Sequence, residues 1–311
     1  MILLRIAHRW FAILLKRGPV AVVFLMAPAF WAGLPCEEAL QKYLAKEYAS
    51  AAALAGQAVD KDGDDPACRH IYGLSLAALG KFSDAETNLQ RAIALRPNHA
   101  DYQYDLGYVL YQQKKYDQCV PVLKRAVELN GDNLMARFLL GRSYVSSHRT
   151  LLLGNFSQLA LEQFRYIATK NPRFPTVHYH IAEIHSNNGF FEEAQRELNL
   201  ELENFPASAQ SRVALGELLL KTGQPEAALR ELLLAEKHAP TIPLVHYTLA
   251  KAYRDNQDSD AALRSARRSL ELDPGYADAH YLLGQLYQES GQTELARREM
   301  ELFEKYRSTG P

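Results

Sequence analysis

From residue 36 onward, apolar residues fall at i, i+3, i+4 and i+7 along most of the chain. That spacing gathers them into a stripe on one side of a helix. The stripes come in pairs, each pair split by a short polar or glycine turn. Gly80, Gly189, Gly223 and Gly291 stand at such turns, where a positive φ is cheap only for glycine. Pro97, Pro172, Pro206, Pro240 and Pro274 close the second stripe of a pair, because proline cannot continue a hydrogen-bonded helical turn.

The pairs recur at a fixed distance. His280, Leu283, Gly284, Tyr287 and Ala296 form one set, and a step of 34 residues back reaches His246, Leu249, Ala250, Tyr253 and Ala262. The next steps reach Arg212, Leu215, Gly216, Leu219 and Ala228, then His178, Ile181, Ala182, His185 and Ala194. The front of the chain keeps the same register with Gly73, Leu76, Ala85 and Ala92, then Gly107, Leu110, Cys119 and Ala126. A sustained period of this length marks a solenoid, in which one hairpin cannot bury its apolar stripe alone and stacked neighbours do so.

The repeat resembles the tetratricopeptide family, whose pattern is W-x2-L-G-x2-Y, then A-x3-F, then P. His, Arg or Gln stands at most of the tryptophan positions. The resemblance divides the chain into units 66–99, 100–133, 134–174, 175–208, 209–242, 243–276 and 277–310, with 36–65 as a degenerate first unit. It implies an all-α, right-handed superhelical solenoid of about eight antiparallel helix hairpins. Small residues at the eighth and twentieth positions of each unit leave room where two helices cross. The unit 134–174 is longer than the others, and its extra residues fall near 148–155 at the turn. They include Leu151, Leu152 and Leu153, which read either as a longer packed helix or as an exposed contact patch.

Composition narrows the class. The 311 residues are 48% hydrophobic and 23% charged, with a net charge of −1, the balance of a folded protein without the basic excess that nucleic acid demands. The first 35 residues hold Arg5, Arg9, Lys16 and Arg17 and no acid, so the remainder is mildly acidic. An apolar run from Gly18 to Gly33 follows them, with Ala27 and Ala29 as small residues around Pro28. Residues 1–35 therefore read as a cleaved export signal, with an uncleaved membrane anchor through 18–33 as the alternative. Pro35 before Cys36 spoils a lipoprotein signal. The expected location is the periplasm or cell envelope. Three cysteines make no full disulfide framework. Cys119 reads as a buried free thiol, and a Cys36–Cys68 bridge is left open without being favoured.

No catalytic motif is present. Gly80-Lys81 lacks the glycine spacing of a phosphate loop, and no HExxH or G-x-S-x-G occurs. His178 and His180 diverge by about 200° on a helix and cannot share a ligand face. His178, His185, His246 and His280 occupy packing positions, so no metal, cofactor or enzymatic activity is expected. The resemblance implies a groove lined by positions two, five, six, nine, twelve and thirteen of the first helices. Carried onto this chain, it selects Tyr104, Tyr108, Tyr111, Phe138, Arg142, Tyr179, His180, Tyr247, Lys251, Arg254 and Tyr281. Tyr104, Tyr108 and Tyr111 stand at i, i+4 and i+7 and so share a face. The lysine-and-asparagine pattern at the fifth and ninth positions, which grips acidic chaperone tails in some relatives, is absent: those places hold aromatics, Glu183, Glu217, Lys251 and Gln285. The expected function is a scaffold or assembly factor that holds a partner protein or peptide in the groove. The alternative is a non-catalytic binder of glycan or cell-wall polymer that stacks sugars on tyrosines.

Overall fold

The computed structural model describes residues 35–61, 65–147 and 156–309. All but Pro35 of the export or anchor segment 1–35, and the insertion 148–155, lie outside the described residues. Among the described residues every regular element is a helix. They are α1 (Pro35–Leu44), α2 (Tyr48–Lys61), α3 (Pro66–Ala78), α4 (Phe82–Leu95), α5 (Ala100–Gln112), α6 (Tyr116–Leu129), α7 (Leu134–Ser146) and α8 (Phe156–Lys170). Then follow α9 (Val177–Asn187), α10 (Phe191–Asn204), α11 (Ala209–Lys221), α12 (Pro225–His238), α13 (Pro243–Asp255), α14 (Ser259–Leu272), α15 (Ala277–Glu289) and α16 (Thr293–Thr309). None is long and apolar enough to cross a membrane.

The chain divides into two compact units between Lys115 and Tyr116. In the first, α1 to α5 each pack on the next, and α1 touches α3 as α3 touches α5. In the second, α6 to α16 pack in sequence order, with α9 touching α11 and α11 touching α13. Local contacts of this kind are what a stack of hairpins produces.

Close crossings explain the glycines inside helices. A methyl group on Gly73 would stand 2.7 Å from Leu89 Cγ, and one on Gly141 2.7 Å from Phe164 Cε1. The tight turns place one residue in the left-handed region at each step: Gly80, Gly189, Gly223 and Gly291 at φ of 73° to 82°. Lys46, Lys114 and Gln257 hold the equivalent place at 64°, 59° and 64° without the help of a missing Cβ. Helix starts are capped by Asp65, Asn133, Ser208 and Asp258, whose side chains accept from the N–H of Ala67, Ala136, Ser211 and Ala261.

The polar residues at the tryptophan position form a shared latch. Each bonds backward to the loop carbonyl six residues earlier, across to the second helix, or to both. Gln103 donates to the Pro97 carbonyl at 3.2 Å, and Arg137 donates to the Gly131 carbonyl at 2.7 Å and to Gln163 at 2.8 Å. Arg212 reaches the Pro206 carbonyl at 2.8 Å and pairs with Glu231. His246 lies 2.8 Å from the Pro240 carbonyl. His280 sits 3.0 Å from the Pro274 carbonyl and 2.6 Å from Glu299. The histidines at these positions are buried and engaged in packing.

One unit replaces the usual alanine of the second helix, seen at Ala92, Ala126 and Ala235, with Glu201. It is 1% exposed, and its Oε1 accepts from the N–H of Thr176 at 2.8 Å, with the Tyr179 N–H at 3.4 Å from Oε2. The carboxylate thus caps the start of α9, where unpaired N–H groups and the helix dipole favour an anion. Thr176 takes a φ of 64°, costly for a β-branched residue.

The structure contains the Cys36–Cys68 bridge that the sequence does not favour. Cys36 and Cys68 are joined in a disulfide with Cα atoms 5.2 Å apart, tying α1 to α3. Two cysteines 32 residues apart gave no way to see that α1 would lie against α3. Cys119 lies outside the disulfide and is buried; burial pushes its thiol up to about 11, against the 3.2 Å contact with Ser143 Oγ.

Candidate functional site

Burial separates the two faces of each first helix. On α5, Tyr102, Gln103, Leu106, Gly107, Val109 and Leu110 are buried, whereas Asp101, Tyr104, Asp105, Tyr108, Tyr111 and Gln112 are exposed or half-buried. The tyrosines chosen from the sequence therefore line the face that no helix of their unit fully covers. Burial raises the phenols of Tyr104 and Tyr108, and the Asp105 carboxylate adds to the effect on Tyr104. Oδ2 of Asp105 lies 2.6 Å from His70 Nε2 on α3.

Tyr43 on α1 joins this face and was not selected from the sequence. Its phenol is raised by burial first and then by Asp105, Tyr48 and Tyr108, which places it beside the α5 groups. Its ring lies 5.5 Å from that of Tyr48. A signal existed: Tyr43 stands two repeat periods before Tyr111, but the short first helix of the degenerate unit hid the register.

The second unit divides its chosen residues into three places. On α7 and α9, Phe138 and His180 are drawn into an aromatic cluster. Their rings lie 5.4 Å apart, and His180 stacks on the fully buried Phe164 at 5.4 Å. Tyr179 meets His180 edge-on at 5.1 Å, and Arg142 sits 6.0 Å from the Phe138 ring. Phe138 and His180 thus serve packing as well as surface. His180 Nδ1 lies 3.2 Å from Glu183.

On α13, Tyr247 lies 5.5 Å from Lys251 Nζ and 5.2 Å from the ring of Tyr276, another residue the sequence reading passed over. Arg254 donates to Gln285 of α15 at 3.1 Å. Burial raises the Tyr247 phenol, with Asp278 and Glu217 adding to it and Arg254 opposing. Tyr281 on α15 is exposed at 43% and packs 5.1 Å from Phe303. The face of this unit therefore mixes Arg142, Lys251 and Arg254 with Glu183, Glu217 and Asp278.

Such faces offer aromatic area, hydrogen bonds and fixed charge, the means of noncovalent recognition. Among the described residues, Cys36, Asp65 and Cys68 form the one group with metal-ligand spacing, and its two sulfurs are bonded to each other.

Family models described as tetratricopeptide repeat match residues 73–133 and 179–241, 244–276, and 266–298, together more than half of the chain. Protein O-mannosyl-transferase TMTC3 from Homo sapiens is 25% identical over 147 residues, which cover 45% of this chain and 16% of that protein. Its Mus musculus counterpart is 26% identical over the same shares. The matched stretch thus spans about a sixth of these curated relatives. Among solved structures, a tetratricopeptide repeat protein from Parabacteroides merdae superposes with a TM-score of 0.62 at 13% identity, covering 82% of this chain and 97% of that one. The APC/C hetero-tetramer Cut9-Hcn1 contains a chain that matches with a TM-score of 0.61 at 16% identity, covering 83% of this chain and 49% of that one. These likenesses establish the fold.

Proposed function

Because this chain belongs to the tetratricopeptide repeat proteins, we propose that it is a non-catalytic scaffold or assembly factor of the cell envelope, holding a partner protein or peptide on the open faces of its first helices. Tetratricopeptide repeats mediate protein–protein interaction, and stacked hairpins present extended binding surfaces. The observation that carries the reading is the half-buried stripe of Tyr104, Tyr108 and Tyr111 on α5, whose opposite side is fully packed. Tyrosine supplies large contact area at low entropic cost and keeps a polar tip for the partner.

The envelope location draws on the basic and apolar character of residues 1–35 and on the Cys36–Cys68 disulfide, a bond that persists in oxidising compartments. The transferase activity in the name of the mannosyl-transferase relatives is not proposed for this chain.

The test is crosslinking in envelope extracts followed by capture of the chain. The intact protein is expected to retain a defined partner, and Tyr104→Ala with Tyr108→Ala to lose it while melting at nearly the same temperature. Retention of the same partner by that variant, and by a Tyr247→Ala with Lys251→Ala variant, would remove the groove from the account.

A further inference from the structure

We infer that the open face of the first unit recognises a basic side chain, a lysine or arginine on an extended segment of the partner, seated among Tyr43, Tyr104 and Tyr108 beside Asp105. This inference deepens the binding role proposed above and rests on it.

Three observations converge. First, α1, α3 and α5 are neighbours, so their uncovered sides form one surface. The Cys36–Cys68 bond fixes α1 on α3, which brings Tyr43 to the α5 tyrosines. A helix of 10 residues would not hold such a position by its own propensity.

Second, the charge is one-sided. The three helices carry Glu37, Glu38, Asp101 and Asp105, and their only lysine or arginine residues are Lys42 and Arg69. Both are engaged elsewhere: Lys42 donates to Glu47 at 2.9 Å and Arg69 to Asn88 at 3.1 Å.

Third, the walls suit a cation. The faces of tyrosine rings attract ammonium and guanidinium groups, and burial strengthens the attraction. The Asp105 carboxylate, oriented by His70 at 2.6 Å, supplies the counter-charge. An acidic segment would meet the same carboxylates as repulsion. The second unit, with Arg142, Lys251 and Arg254 on its face, has no such bias.

The experiment uses the full, oxidised chain and three labelled peptides of one apolar sequence, carrying lysine and arginine, glutamine, or glutamate at the same places. Fluorescence anisotropy is expected to show the basic peptide binding at least about tenfold more tightly than the neutral one, the acidic one weakest, and the gap closing with salt. Asp101→Asn with Asp105→Asn should reduce the basic peptide's advantage to less than about threefold. Asp101→Asn alone, at an exposed position outside the His70 pair, should reduce it in part without touching the fold. An advantage that survives both variants overturns the inference. Equal binding of all three peptides, lost in Tyr104→Ala with Tyr108→Ala, overturns the charge assignment and leaves the broader binding role standing. Failure of all three to bind overturns the inference, and partner capture then decides the broader role by itself.

Discussion

Nδ1 of His178 lies 2.6 Å from Oε2 of Glu197, tying α9 to α10 within one hairpin. The bond to Glu197 raises the imidazole's pKa, and desolvation works against it. A raised folded pKa means that folding binds a proton more tightly than the unfolded chain does. The stabilisation is then fully present below the unfolded value of 6.5 and is lost as pH rises through the folded value. Glu197→Gln should therefore cost stability at about pH 5.5, on the order of 1–2 kcal/mol, and much less at about pH 8.5. Urea unfolding of both proteins across that range measures it. A cost that stays constant with pH would show that the pair does not carry the proton.

A methyl group on Gly216 would stand 2.6 Å from Cγ of Leu232, closer than real contacts allow. Gly216→Ala should destabilise by about 1–3 kcal/mol through overpacking. The chain itself holds the remedy one hairpin later, where Ala250 takes the place of Gly216 and shares a core cluster with the small Ala266 of its own hairpin. In a Leu232→Ala background, Gly216→Ala should cost almost nothing. A double-mutant cycle with no coupling between the two sites would refute the crossing geometry.

Gln257 occupies a turn with a φ of 64° where three of the neighbouring turns use glycine. Gln257→Gly removes a steric penalty of about 1–2 kcal/mol and adds unfolded-state entropy worth somewhat less. The net expectation is a gain of about 0.5 kcal/mol, read from a shifted denaturation midpoint. Gly223→Ala should move the midpoint the other way.

The disulfide closes a loop between positions 32 residues apart. By chain entropy it holds α1 in place by about 3–4 kcal/mol. Reduction, or Cys36→Ser, should expose Lys42 and Lys46 to trypsin while cleavage beyond α5 stays slow. Equal digestion of the oxidised and reduced chains would mean that packing of Ala39 and its neighbours is enough to hold the helix.

Glu201 is a buried carboxylate near His178 that accepts hydrogen bonds from the start of α9. Glu201→Ala leaves two N–H groups without their acceptor and should cost about 1–3 kcal/mol. Glu201→Gln keeps one acceptor and should cost less. Hydrogen exchange at Thr176 and Tyr179 locates the effect, and protection unchanged in Glu201→Ala would assign the cap to another group.

The sequence by itself determined the helices, their pairing and the register of their faces. Leu283 and Gly284 could be matched to Leu249 and Ala250 because each hairpin solves the same burial problem with its immediate neighbours. Tyr104, Tyr108 and Tyr111 followed from that register by counting. Only the tertiary structure decided which polar groups meet across helices. The latch from His280 to Glu299, the reach of Glu201 to Thr176, and the union of Cys36 with Cys68 depend on distances of a few ångström between segments far apart in the chain. So does the split of duty at Phe138 and His180, which share a face in the sequence pattern yet sink into the packing around Phe164. Periodicity reports which side of a helix is buried, because burial depends on a face as a whole. A hydrogen bond or a disulfide depends on two particular atoms, and their approach is fixed only once the helices have packed.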